Sequence, residues 1–137
     1  MGIKNVYDVA ARAMSAQIVR MNAIASNLAN ANNVSGVKED VYKPLRPVFK
    51  TIYSDKLKQT GLSTVDAIKV ESLDREPIKT YMPSHPAADA NGYIYKAPVN
   101  VEEEMVDMMD ASRQYQNNVE VITTLKALTM KTLNIGR

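Results

Sequence analysis

All six prolines of this 137-residue chain fall between Pro44 and Pro98, and residues 3–35 and 99–135 contain neither proline nor glycine. These two residue types are the strongest local breakers of helices. Their distribution therefore predicts two long helices around a turn-rich middle. The expected fold class is mainly α with a small β insert: long N- and C-terminal helices pairing in a coiled-coil-like manner, with central β-hairpins and loops. The expected divisions are 1–35 for the first helix, 36–98 for a β-rich insert with a Pro-rich loop, and 99–137 for the second helix.

Hydrophobic spacing supports the helices. Tyr7, Ala11, Met14, Ile18, Met21, Ala25 and Leu28 alternate four- and three-residue steps, the 3.5-residue period of a seam that packs against another helix. Asn5 is a candidate N-cap with Asp8 in the first turn, and Asn30, Asn32, Asn33 and Gly36 offer left-handed residues for the exit. In the second helix Asn100 is the expected cap, with Glu103 placed for a capping box and Gly136 available at the far end. Its seam runs through Met105, Met108, Ser112, Tyr115, Val119, Ile122, then Leu125 or Lys126, Thr129 and Leu133. Acids at 102–107 and basic residues at 126, 131 and 137 follow the helix dipole. The residues expected to form the intrachain and interchain seam are Met14, Ile18, Met21, Leu28, Tyr115, Val119, Ile122 and Leu125. Val6, Val9, Ala10, Ala13, Val19, Ala23 and Ile24 put apolar or small groups on further sides of the first helix, which fits either an ordinary antiparallel helical hairpin with a wide core face or, as the sharper expectation, a bundle that includes neighbouring chains.

In the middle, Val48–Tyr53, Val65–Glu71 and Ile78–Tyr81 read as strands, separated by Gly61 and by Asp74–Pro77. Tyr93–Tyr95 follows Asn91-Gly92, a dipeptide that favours a type I′ hairpin turn. Few large apolar side chains are available to this insert, so it is expected to pack on the helices or on other subunits.

Several chemistries are excluded or weakly supported. The absence of Cys removes disulfides, thiolate zinc sites and cysteine nucleophiles, and the single His85 cannot build a His-rich metal cluster. Ser84, His85 and Asp89 lie in one short loop, whereas a catalytic triad needs three groups converging in space. Asp89–Gly92 lacks the alternating ligands and closing Glu of a calcium loop. A net charge of +2 is no nucleic-acid footprint. No enzyme activity, cofactor or metal is expected. No stretch approaches the ~18 consecutive apolar residues of a transmembrane segment, and Met1 to Ala16 lacks the layout of a cleaved secretory signal. A cytoplasmic protein, or export by another route, is expected. The methionines at 105, 108, 109 and 130 read equally as core or as an adaptable contact surface.

The segment Ala25-Ser26-Asn27-Leu28-Ala29-Asn30-Ala31-Asn32 closely resembles the N-terminal signature of bacterial flagellar rod, hook and related axial proteins. A second set resembles the proximal rod members of that family: Pro83 to Tyr93, including His85, Pro86, Gly92 and Tyr93, then Val99–Val101, Glu104–Val106, Ala111–Val121 and Met130–Gly136.

The resemblance implies a structural subunit of the flagellar basal-body rod, polymerising into the drive shaft that crosses the periplasm and transmits torque. It implies that the paired helices form the inner domain of a tubular assembly, and that export runs through the flagellar type III apparatus without a cleaved signal peptide. Implied partners are copies of the chain, rod proteins of the FlgB, FlgF and FlgG types, and the basal adaptor FliE. The alternative is a free-standing helical binding module such as an export chaperone.

Overall fold

The computed structural model describes residues 3–52 and 64–135. Helix α1 (Ile3–Ala29) and helix α2 (Val101–Ile135) hold 27 and 35 residues, so they extend about 40 and 52 Å. Between them lie β1 (Val34–Ser35), a 3-10 turn (Lys38–Asp40), β2 (Leu45–Ile52), β3 (Thr64–Ser72), β4 (Ile78–Tyr81) and β5 (Tyr93–Lys96). This is the expected mainly helical fold with a small antiparallel β insert. The turn at Gly61, the residue Tyr53 and the cap at Gly136 lie outside the described residues.

The helices run antiparallel, since Gln17 bonds Gln114 near one end of the contact and Asn27 bonds Glu104 near the other. Asn27 is close to the end of α1 and Glu104 close to the start of α2, so the two are flush there. The longer α2 therefore projects about two turns past the start of α1.

Helix ends follow local chemistry, with two corrections to expectation. Asn100 caps α2, its Oδ1 accepting from the amides of Glu102 at 3.0 Å and Glu103 at 3.3 Å. Asn5 is not the cap of α1, which already begins at Ile3; an interior Asn costs a helix well under ~1 kcal/mol. Nor does α1 end in a left-handed residue, because no non-glycine among the described residues has positive φ. Instead Asn30 Nδ2 donates to the Ser26 carbonyl at 2.8 Å, and tightened bonds from Ala31 to Leu28 and Asn33 to Asn30 close the last turn. Side-chain capture of an orphan carbonyl replaces the backbone solution.

The insert forms two sheets. Strands β2 and β3 make an antiparallel hairpin with a register shift at Val48/Phe49, while β1, β5 and β4 form a three-stranded antiparallel sheet in that order. Pairing of Val34 with Lys96 and of Ser35 with Tyr95 draws the start and finish of the insert together. The chain therefore leaves α1 and returns to α2 through a single neck.

Strands β4 and β5 are not joined by the expected type I′ turn. Asn91 does not adopt the positive φ that such a turn needs. The Asp89 carboxylate accepts from the amides of Asn91 and Tyr93, both at 2.8 Å, and the Gly92 amide bonds the Asp89 carbonyl at 3.0 Å. Asp89 thus organises its own turn at the end of the longer loop 82–92. His85 is part of the same scaffold, its Nδ1 accepting from the Ala87 amide at 3.1 Å.

Two glycines of this region occupy places closed to side chains. A Cβ on Gly36 would lie 2.7 Å from the Ala87 carbonyl oxygen, and Gly92 has φ +79° with Tyr81 and Pro83 atoms 3.0 Å from where a Cβ would be. Gly36→Ala and Gly92→Ala are each expected to lower unfolding stability by about 1–2 kcal/mol. Urea denaturation of each variant measures this.

Candidate assembly interface

Successive residues on α1 face different surroundings, because each step turns the side chain by about 100°. Gln17, Arg20 and Asn27 bond α2, and the fully buried Ile24 shares their face. One residue earlier, Val19, Ala23 and Ser26 line a notch of about 270 Å³ with Leu45 and Val70 of the β2–β3 hairpin. One residue later come Met14, Ile18, Met21, Ala25 and Leu28, the apolar seam read from the sequence.

The contact between the two helices is therefore more polar than that seam. Ala111 on α2 is fully buried between the positions that bond α1, and most buried apolar residues among those described are alanines: Ala10, Ala16, Ala23, Ala97 and Ala111. Small residues permit close approach but remove little apolar area from water. The Gln17 Oε1 atom is buried without a partner among the described residues, a further mark of a modest interface.

The apolar seam is left largely outside this contact. Ile18 is 44% exposed, Met14, Met21 and Leu28 are half-buried, and Val119 on α2 is exposed. Tyr115, Ile122 and Leu125 are half-buried on the side of α2 that includes Ala111. Met105 and Met109 are exposed, the latter at 63%. Both helices are right-handed and run in opposite directions. A one-residue step forward from the contact positions therefore turns each helix towards the same side of the plane through their axes. Met14, Ile18 and Met21 accordingly share one open face with Met105 and Val119, opposite the β2–β3 hairpin, while Met109 points away from α1. Of the four methionines, Met105, Met109 and Met130 lie on the surface of the single chain, whereas Met108 is half-buried.

A polar junction holds the hairpin, the neck and both helices in register. Asn27, at 0% exposure, satisfies its whole amide: Nδ2 donates to the Leu45 carbonyl at 3.0 Å and to Glu104 at 3.1 Å, and Oδ1 accepts from the Leu45 amide at 2.7 Å and the Tyr42 hydroxyl at 3.0 Å. Glu104, 3% exposed, also accepts from Arg46 at 3.0 Å. Arg46 bonds Asp107 as well, and Asp107 accepts from Arg20 at 3.2 Å. Two carboxylates thus meet two guanidinium groups, so no net charge is buried. Burial works against the Arg46 charge, but its hydrogen bond to Asp107 and the nearby carboxylates of Glu104, Asp107 and Glu103 outweigh this and raise its pKa above the usual value. Burial and the Glu104 charge raise the Tyr42 phenol above its ordinary range.

Of the signature residues, Asn27 and Asn30 hold backbone groups, Ser26 supplies the carbonyl that Asn30 caps, and Leu28 belongs to the open seam; Ala29 is exposed at the helix end. His85, Pro86 and Gly92 shape loop 82–92. Tyr93 stacks edge-on with Tyr81 at 5.2 Å beneath the Lys79 ammonium at 4.0 Å. Arg20, Arg46, Glu104 and Asp107 were not singled out as partners from sequence, since the bonds join positions 58 to 87 residues apart.

Known families match both halves of this architecture. Residues 8–38 match the family described as "Flagella basal body rod protein", and residues 90–135 match "Flagellar basal body rod FlgEFG protein C-terminal". These matches cover most of α1 with its exit and all of α2, and they define the chain as a flagellar basal-body rod protein. Flagellar basal-body rod protein FlgC of Escherichia coli O6:H1 is 39% identical over 137 residues, covering all of both chains. The FlgC proteins of Salmonella typhimurium and of Buchnera aphidicola subsp. Schizaphis graminum are 38% and 41% identical, over 100% and 99% of each chain. The chain belongs to the FlgC family.

Proposed function

We propose that this chain acts as material: a rod subunit that polymerises with its relatives into the drive shaft crossing the periplasm, and transmits torque through packed helices. The observation that carries this reading is the open apolar face built jointly by α1 and α2, in a chain related over its whole length to rod proteins. Close-packed interiors deform little, so seams shared between neighbours stiffen a shaft against bending and twist. Met14, Ile18, Met21, Leu28 and Val119 are assigned to contacts between subunits, and Tyr115, Ile122 and Leu125 to the contact within the chain and its margin. Residues 1–35 and 99–137 are assigned to the inner helical layer, and 36–98 to an outer one pinned at the neck.

Partners on this reading are copies of the chain, rod proteins of the FlgB, FlgF and FlgG types, the adaptor FliE and the flagellar type III export apparatus, which passes the chain without cleaving a signal peptide. No described helix is long and apolar enough to cross a membrane. The role needs no catalytic group. A free-standing module such as an export chaperone finds no support in the family to which the chain belongs. Fractionation tests the reading: the chain is expected to co-purify with hook and basal-body particles, and recovery only as a soluble cytoplasmic oligomer would overturn it.

A further inference from the structure

Asn91-Gly92, the dipeptide that does not make the expected hairpin turn, carries a different chemistry. The Asn91 side chain is exposed, and the residue after it has no Cβ to shield its backbone nitrogen. That combination favours intramolecular deamidation. The Gly92 nitrogen attacks Asn91 Cγ, the bond from Cγ to Nδ2 breaks, and Nδ2 takes the Gly92 amide proton and leaves as ammonia, closing a succinimide. Water then opens the ring at either carbonyl to give aspartate or isoaspartate. In isoaspartate the main chain runs through Cγ and is longer by a methylene. The fold holds the reacting atoms back from this step. The Gly92 amide hydrogen is engaged by the Asp89 carbonyl at 3.0 Å, so the attacking nitrogen keeps its proton. The Asp89 carboxylate accepts from the amides on either side, those of Asn91 and Tyr93, both at 2.8 Å, and the Asp89 amide donates to the Tyr93 carbonyl at 2.8 Å. Bringing the Gly92 nitrogen to Cγ needs rotation about the Asn91 Cα–C bond, which breaks the bond to the Asp89 carbonyl.

We propose that Asn91 is a modification site gated by folding: Asp89 keeps it shut while loop 82–92 is closed, and chains that remain open there convert it to isoaspartate. The added methylene displaces the Gly92 and Tyr93 amides from Asp89, so a converted chain cannot rebuild the turn. The Met82 amide donates to the Gly92 carbonyl at 2.9 Å, and the Ala87 carbonyl of the same loop packs against Gly36. Damage at position 91 therefore reaches the whole loop and the exit of α1. Conversion separates chains that closed the loop promptly from chains that did not. The inference stands on the geometry of this loop and is independent of the rod reading.

Full-length protein held in warm, mildly alkaline buffer, with or without urea, tests the gate. Peptide mass spectrometry and enzymatic methyl labelling of isoaspartate read position 91. The folded parent is expected to convert at least about tenfold more slowly than the urea-unfolded parent, because only the opened fraction reacts. Asp89→Ala is expected to lose most of that protection while keeping the parent's helical circular dichroism. Asp89→Ser, whose hydroxyl accepts from the same amides more weakly, is expected to fall between. If Asp89→Ala does not fold, the parent and Asp89→Ser decide. Equal rates in the folded and unfolded parent, or parent-like protection in the Asp89 variants that fold, would overturn the gate. After urea is removed, converted chains are expected to exchange the Tyr93 amide hydrogen at least about tenfold faster than unconverted chains. Asn91→Asp, which carries the new charge without the longer main chain, is expected to keep the parent's slow exchange. Parent-like exchange in converted chains would contradict the loss of the turn.

Discussion

Replacing Ile18 with Asp is expected to leave the single chain folded and to stop its incorporation into the rod. The side chain is already 44% exposed on the open face, so in the monomer the new carboxylate remains in water and costs little. Once a neighbour covers that face, the same carboxylate is desolvated without a partner, at about 3–5 kcal/mol for each interface, a loss of roughly 100-fold or more in association. Circular dichroism of Ile18→Asp should match the parent chain, while a complemented deletion strain should be non-motile and its basal bodies should lack the protein. Normal motility would remove Ile18 from the proposed seam. Ile122→Asp should behave differently, because Ile122 is half-buried within the chain: both the fold and assembly are expected to suffer.

Asn27→Leu should have the largest effect on the chain itself. Leucine is of similar size, but it strips partners from the amide and carbonyl of Leu45, from the Tyr42 hydroxyl and from Glu104. Each buried group left unpaired costs about 1–3 kcal/mol. Allowing water to reach Tyr42, a total of about 3–5 kcal/mol is expected, a large part of the stability of an ordinary domain. The variant should show much reduced helicity and no cooperative urea transition. Asn30→Ala removes one carbonyl partner near the helix end and should cost about 1 kcal/mol. A comparable loss in the two variants would mean that the junction does not organise the fold.

The helices were legible because proline and glycine act locally: a run without either predicts an uninterrupted helix regardless of its neighbours. Asn100 as the cap of α2 was legible for the same reason. The strands followed from Val, Ile, Thr and Tyr between turn residues, and Ile78–Tyr81 matches in extent. Asn91-Gly92 misled because Asp89, two residues earlier than Asn91, captures the amides of Asn91 and Tyr93. A dipeptide preference yields to a side chain that offers stronger local bonds.

The use of the seam was harder to read. A 3.5-residue apolar period says that a helix face seeks another helix, but not whether that helix belongs to the same chain. Here the intrachain contact falls one residue earlier, on Gln17, Arg20, Ile24 and Asn27, where polar pairing replaces apolar area. Arg20 and Asn27, seven residues apart and interrupting a hydrophobic helix, and Glu104 and Asp107, one turn apart on α2, were the available signal. Their pairing depends on tertiary distance rather than on sequence separation.

A density map of the intact basal body with this chain traced in it tests the central claim most directly. The account predicts α1 and α2 in the inner layer of the rod, with Met14, Ile18, Met21, Met105 and Val119 covered by helices of neighbouring subunits and the β2–β3 hairpin on the opposite side. A map in which that face is bathed in solvent, while subunits meet only through the insert, would contradict it.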